Sequence, residues 1–153
     1  MIRHKALHSL SHEHHHGLML AQLIKADSPK YKNLPKTIKG KKSYTLRFYE
    51  EKLIPHFKKE EEILFPLSKD KTSAVDKLVD DLVDQHNSIA SLIKRIKASD
   101  SPGNELNELG SILEMHIRKE ERELFPKVQE VLSEHKLKEL ESVLGKISAS
   151  CKI

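Results

Sequence analysis

Cysteine, glycine, proline and tryptophan are all scarce in this chain, and each scarcity removes a class of protein. The one cysteine, Cys151, stands close to the end of the 153 residues. No internal disulfide can form, and the thiol reads as part of an unspecialised tail. Five glycines and six prolines, beside 33% charged and 37% hydrophobic residues, suit helices better than a sandwich or barrel. No uninterrupted apolar run reaches the roughly 18 residues needed to span a bilayer. The N-terminus, MIRHKALHSLSHEHHH, also lacks the apolar stretch of a signal peptide. A cytoplasmic protein with no membrane partner is expected. Net charge is +4, and the densest basic stretch, Lys25 to Lys42, has only Tyr31 nearby. Nucleic-acid modules interleave lysine with arginine and stacking aromatics. The stretch therefore reads as a solvated connecting loop, and no nucleic-acid partner is expected.

What the chain does have is helical periodicity and a repeat. Apolar spacing predicts helices over 5–26, 37–67, 73–98 and 104–132, with a short fifth over 134–148. The breaks between the first four carry turn chemistry: DSPKYKNLP, SKDKTS and SDSPGN. Short links favour antiparallel neighbours, so the expectation is all-α: an up-and-down four-helix bundle with an additional short C-terminal helix, forming a single domain over residues 1–153. Residues 56–66 read HFKKEEEILFP and residues 116–126 read HIRKEERELFP, with seven of eleven identical. Each copy opens with a histidine and a glutamate four positions apart, His56 with Glu60 and His116 with Glu120. On a helix that spacing returns both side chains to one face.

The predicted core seams share an anomaly. The first helix gives Leu7, Leu10, His14, Gly17, Ala21 and Ile24. The second gives Leu46, Tyr49, Leu53, His56, Glu60, Ile63 and Leu67. The third gives Val75, Val79, Leu82, His86, Ile89, Ile93 and Ile96, and the fourth gives Leu106, Leu109, Leu113, His116 and Glu120. All four carry a histidine where an apolar residue belongs, and two add a glutamate one turn later. Buried without partners, such groups would cost several kcal/mol for each ion, against a net domain stability of roughly 5–15 kcal/mol. Four histidines and two glutamates converging from four helices are a natural set of metal ligands. Two carboxylates can bridge a pair of ions about 3.5–4 Å apart while the imidazoles cap them. Nitrogen and oxygen ligation without thiolate fits iron or manganese better than structural zinc, and positions left open imply water, dioxygen or another small ligand.

On these residues the sequence resembles the hemerythrin-like family, also called HHE cation-binding proteins. The likeness rests on His14, the pair His56 and Glu60, His86, and the pair His116 and Glu120, together with the EE and LFP that follow each histidine. It covers essentially the whole chain. The resemblance implies a four-helix bundle around a non-haem di-iron centre of two iron ions, manganese being the second choice. It also implies roles in binding or sensing oxygen or nitric oxide, iron handling, or repair of oxidative damage. Respiratory hemerythrins carry a second histidine on the third helix where this chain has Ala90. Their fourth-helix carboxylate lies five residues after the histidine, whereas this chain offers Glu120 at four and Glu121 at five; Glu120 lies on the seam. Glu61 and Glu121 then flank the site.

Other readings explain less. His12, Glu13 and His16 satisfy HExxH, the zinc-protease signature, but leave the paired blocks unexplained. Ferritin-like di-iron proteins need two ExxH motifs, and only Glu13 to His16 is present. The stripe of His4, His8, His12 and His15 or His16 reads as an exposed face rather than a second metal site, although His15 lies close enough to the seam to add a nitrogen. Pro55 predicts a kink in the second helix, and Tyr49 reads as core packing. A small diatomic partner is expected, bound by a non-catalytic binder or sensor, or consumed by a redox enzyme. A metal-free interaction module is the third possibility.

Overall fold

A computed structural model describes residues 2–150, with side chains through residue 147; Cys151 lies outside the described residues. Among the described residues there are five helices and no strand. A 3₁₀ turn, Lys5–Leu7, leads into α1, His8–Ile24. Helix α2 covers residues 38–68, α3 is Ser73–Ala98, α4 covers residues 103–131, and α5 is Glu134–Ser150. Thr37 and Thr72 start α2 and α3 by accepting the backbone N–H of Gly40 and Val75, which satisfies donors that a helix start leaves unpaired. Asp70, at φ 65°, turns the chain between α2 and α3. No helix among the described residues is long and apolar enough to cross a membrane.

Cross-helix pairs give the packing directions. Against α1, α4 runs antiparallel, bringing Ser11 to Glu121 and Gly17 to Ile117. Helix α3 also lies antiparallel to α4, through Asp81 with Lys119, Gln85 with His116 and Arg95 with Glu108. Between α2 and α3, Glu61 meets His86 and Lys69 meets Asp80. Helix α5 packs on the N-terminal 3₁₀ turn and on α2.

Neither α2 nor α4 is a plain α-helix. Helix α2 consists of Ile38–Phe48, Ile54–Lys59 and Phe65–Ser68, joined by π-turns at Tyr49–Leu53 and Glu60–Leu64. Helix α4 consists of Gly103–Lys119 and Phe125–Val131, joined by a π-turn at Glu120–Leu124. Each π-turn closes one residue before a proline: Ile54, Phe65 and Phe125 donate five residues back to Tyr49, Glu60 and Glu120, and Pro55, Pro66 and Pro126 follow. Proline has no N–H, and its ring crowds the carbonyl four residues earlier. A wider turn just ahead of it makes room. The disruption expected at Pro55 thus appears as a π-turn that recurs at the other two prolines.

The extra residue in each π-turn rotates the face that follows. Past Glu60 the sequence periodicity placed Ile63 and Leu67 inside; both are half-buried, and Leu64, Phe65 and Ser68 take the interior. Upstream of Leu53 the same effect leaves Leu46 and Tyr49 half-buried while Thr45 is fully enclosed. The seams of α1 and α3, which have no π-turn, are buried at every expected position.

Two separate apolar clusters result. One includes Leu7, Leu10, Leu64, Leu82, Phe125 and Leu140. The other includes Leu20, Leu53, Ile89, Leu109, Leu113 and Ile117. Along each of α1 to α4, the polar residues of the seam fall between the members of one cluster and those of the other.

Candidate metal centre

In that middle layer the structure brings all six sequence-predicted residues together. His14, His56, Glu60, His86, His116 and Glu120 are buried, none more than 4% exposed. Their ligand atoms form two groups, His14, His56, Glu60 and Glu120 in one and Glu60, His86, His116 and Glu120 in the other, with all atoms of a group within 4.8 Å of one another. Both glutamates belong to both groups. Glu60 lies 3.5 Å from His56 Nε2 through one oxygen and 3.1 Å from His86 Nε2 through the other. Glu120 lies 3.7 Å from His14 Nε2 and 2.6 Å from His116 Nε2 in the same manner.

Polar side chains behind the histidines orient the rings. Glu13 on α1 holds Nδ1 of His56 on α2 at 3.0 Å, and Glu61 on α2 holds Nδ1 of His86 on α3 at 3.1 Å. Gln85 on α3 holds Nδ1 of His116 on α4 at 2.8 Å, and Glu121 on α4 lies 3.4 Å from Nδ1 of His14 on α1. Each helix thus faces a ring of the next, by a hydrogen bond for His56, His86 and His116 and by an ion-pair contact for His14, whose Nδ1 has no hydrogen-bond partner. Every supporting residue is adjacent in sequence to a residue of the centre on its own helix. An Nδ1–H directed outward leaves the Nε2 lone pair directed inward, the orientation a metal ligand needs. Aromatic faces hold two rings from the side: Phe57 stacks on His86 at 3.9 Å and Phe125 on His14 at 5.5 Å between centroids.

The inward atoms are unsatisfied without a cation. His14 Nε2, His56 Nε2, His116 Nε2, Glu60 Oε2 and both oxygens of Glu120 are buried and have no hydrogen-bond partner. His116 is the sharpest case, because its Nδ1 proton goes to Gln85 while its bare Nε2 faces a carboxylate oxygen. Two acceptors that close repel one another, and leaving buried polar atoms unpaired costs about 1–3 kcal/mol each. The donor set fits a metal.

Electrostatics differ around the centre. Burial works against a charged His56, but the negative charges of Glu60 and Glu13, the latter hydrogen-bonded to its Nδ1, outweigh it and raise its pKa to about 9. For His116, burial dominates and the neighbouring imidazoles add to it, pushing the pKa down to about 3 despite Glu60. Burial opposes ionisation of Glu60, yet His56 and His86 hold it well below the usual carboxylate range. Glu13 and Glu121 are also held down against burial, Glu13 by His56 and Lys59 and Glu121 by His14 and Ser11.

A cavity of about 40 Å³ adjoins the centre. Its walls include His14, His56 and His116 with apolar Leu53, Phe57 and Ile117. Gly17, one turn beyond His14, lets Ile117 pack against α1 beside the cavity: a Cβ there would come within 2.7 Å of Ile117 Cδ1.

The remaining sequence candidates lie outside the cluster. His12, His15 and His16 are exposed, so His15 adds no nitrogen to the centre. Glu61 and Glu121 support the rings as described. The supporting roles of Glu13 and Gln85 and the burial of Lys59, whose Nζ lies 2.8 Å from Glu13, were not foreseen from the sequence. The available signal was a polar residue immediately before His14 and His86, but each serves the histidine of the next helix.

Fold and site define a helical protein with a buried histidine and carboxylate cation centre. The chain belongs to the hemerythrin family: residues 5–128 match the domain described as the hemerythrin HHE cation-binding domain. No curated protein and no solved structure matches the chain.

Proposed function

We propose that the chain is a non-haem di-iron protein, an up-and-down four-helix bundle that binds or senses a small diatomic ligand such as oxygen or nitric oxide. His14, His56, Glu60, His86, His116 and Glu120 are the ligands. The observation that carries this is the sharing of Glu60 and Glu120 between two four-residue groups, which suits two ions joined by two carboxylates. Each ion would take two imidazoles and an oxygen from each glutamate. On a six-coordinate ion that leaves about two positions open, and the thiolate-free donor set suits iron or manganese. Bound iron would supply open coordination positions and one-electron chemistry.

The cavity restricts what can approach. About 40 Å³ admits a molecule of a few atoms, since one water needs roughly 10–15 Å³ on this scale. Its apolar walls favour an uncharged ligand. Binding is preferred over turnover because the one carboxyl on the described wall, Glu13, has both its oxygens engaged by His56 and Lys59. Held ionised, it is a poor proton donor for reductive chemistry.

Elemental analysis followed by anaerobic reconstitution and oxygen titration tests the reading. About two equivalents of iron, with a visible spectrum that changes on oxygen addition and reverses on degassing, are expected. Rapid one-way oxidation with peroxide turnover would favour a redox enzyme. Fewer than about half an equivalent of iron or manganese after reconstitution would point to a metal-free module.

A further inference from the structure

The exposed histidine stripe on α1 divides into two parts. His4 and His8 are engaged: His4 accepts the Ala6 N–H and lies 3.1 Å from Glu134, and His8 Nε2 lies 3.0 Å from the Arg3 carbonyl. His12 and His16 form no hydrogen bond or ion pair among the described residues. They are exposed and meet each other, with ring centroids 5.1 Å apart in a T-shaped contact. Four residues apart on one helix face, two imidazoles can share a single cation, as the histidines of HExxH helices do. The glutamate of that motif is diverted, because Glu13 is committed to His56 and Lys59. A hydrolytic site is thereby excluded, leaving a two-nitrogen chelate whose other positions belong to water.

Position gives this chelate a purpose. His16 also lines the 40 Å³ cavity whose walls include His14 and His56, so the pair stands where the route to the buried centre meets solvent. We propose that His12 and His16 form a second, solvent-facing site that captures a divalent transition-metal ion and delivers it through the cavity to the centre. Delivery rests on the metal-centre reading above; the surface site does not. Transfer is ligand exchange alone, with no change of oxidation state. The cation leaves two neutral imidazoles and water for a site with carboxylates and more nitrogens, so the movement is downhill. Lys52, the one lysine on the cavity wall, is exposed on α2, and its flexible stem lets the ammonium swing aside in water.

The test uses the untagged full chain. After incubation with iron and desalting, the wild type should bind about one further Ni²⁺ per chain in equilibrium dialysis, and a His12→Gln/His16→Gln variant none. Starting from metal-free protein, Co²⁺ uptake at the centre, followed by visible absorption at limiting Co²⁺, should be about tenfold slower in the variant, with the same final occupancy. Both residues are exposed and unbonded, so the variant should melt like the wild type. Equal Ni²⁺ binding by the two proteins would overturn the surface site, and equal uptake rates would overturn its delivery role. If the wild type takes up no Co²⁺, the metal-centre reading fails and delivery with it. The Ni²⁺ comparison then decides the surface site by itself.

Discussion

The two copies of the repeated segment, on α2 and α4, share a sequence, a π-turn and a burial pattern, yet they hold their histidines in opposite states. His56 is supported by a carboxylate, Glu13, with Lys59 behind it, and is pushed up to about 9. His116 is supported by an amide, Gln85, and is pushed down to about 3. The same pair of residues thus sits in two electrostatic settings: the Glu60 and Glu13 carboxylates outweigh burial at His56, whereas burial and the neighbouring imidazoles prevail at His116. A motif specifies which atoms meet, and the balance of burial against nearby charge specifies their state.

The strongest test concerns the shared carboxylates. Glu60→Gln and Glu120→Gln should each lower the occupancy of both positions of the proposed metal pair, because each glutamate belongs to both four-residue groups. The melting temperature measured with metal present should fall with it, the lost ligand-coupled stability being on the order of 3 kcal/mol at saturating metal. Elemental analysis showing that one variant keeps a full complement would break the equivalence of the two copies.

Exchanging the supports should exchange the behaviour. Glu13→Ala and Gln85→Ala should each weaken metal binding about 10–100-fold, the usual effect of removing a partner that orients a metal-ligating ring. Gln85→Glu should raise the His116 pKa and Glu13→Gln should lower that of His56, both read by NMR on the metal-free protein. An unmoved His116 signal would mean that burial, rather than Gln85, governs its state.

The contrast also sets the pH dependence. In the metal-free protein, the raised pKa of His56 gives a contribution fully present below the ordinary imidazole value of about 6.5 and lost as pH rises through about 9. His116 acts in the opposite sense: its folded pKa lies below the unfolded value, so stability falls as pH drops from about 6.5 toward about 3. Denaturant unfolding across this range should show both flanks. A coordinating His56 must first lose its proton, so metal affinity should rise over the alkaline flank. Calorimetry in buffers of different ionisation enthalpy would detect the proton released at neutral pH.

The lysines at matching positions should give the smallest effects. Lys59→Ala removes a buried partner from Glu13, which is itself a third exposed, and should cost about 1–2 kcal/mol. Lys119 lies 3.6 Å from a solvated Asp81, and Lys119→Ala should change stability by less than about 1 kcal/mol. Equal melting of the two variants would remove Lys59 from the account.

Periodicity made the helices and the gathering of six polar residues legible, because a histidine on an apolar stripe is visible one helix at a time. The hemerythrin resemblance rested on the same residues. Less visible was anything depending on backbone hydrogen bonds or on pairing between helices. The inward turn of Leu64 in place of Ile63 follows from a π-turn, which adds a residue where a strict helical repeat has none. Its cue was present in the proline after each one, at Pro55, Pro66 and Pro126. Glu13 and Gln85 lie off their own seams and act across the gap to another helix, so no one-dimensional pattern exposes them.

The separation of the two apolar clusters has a mechanical consequence. Midway along the molecule the helices meet through buried polar atoms, several of which have no hydrogen-bond partner, so a bound metal would act there as a keystone. Removing it should loosen the waist before either end, and amide hydrogen exchange should quicken first around His56, His86 and His116 while Leu109 and Leu140 stay protected. Metal content would then be written into the stiffness of the whole rod, a property another molecule can read without touching the ions.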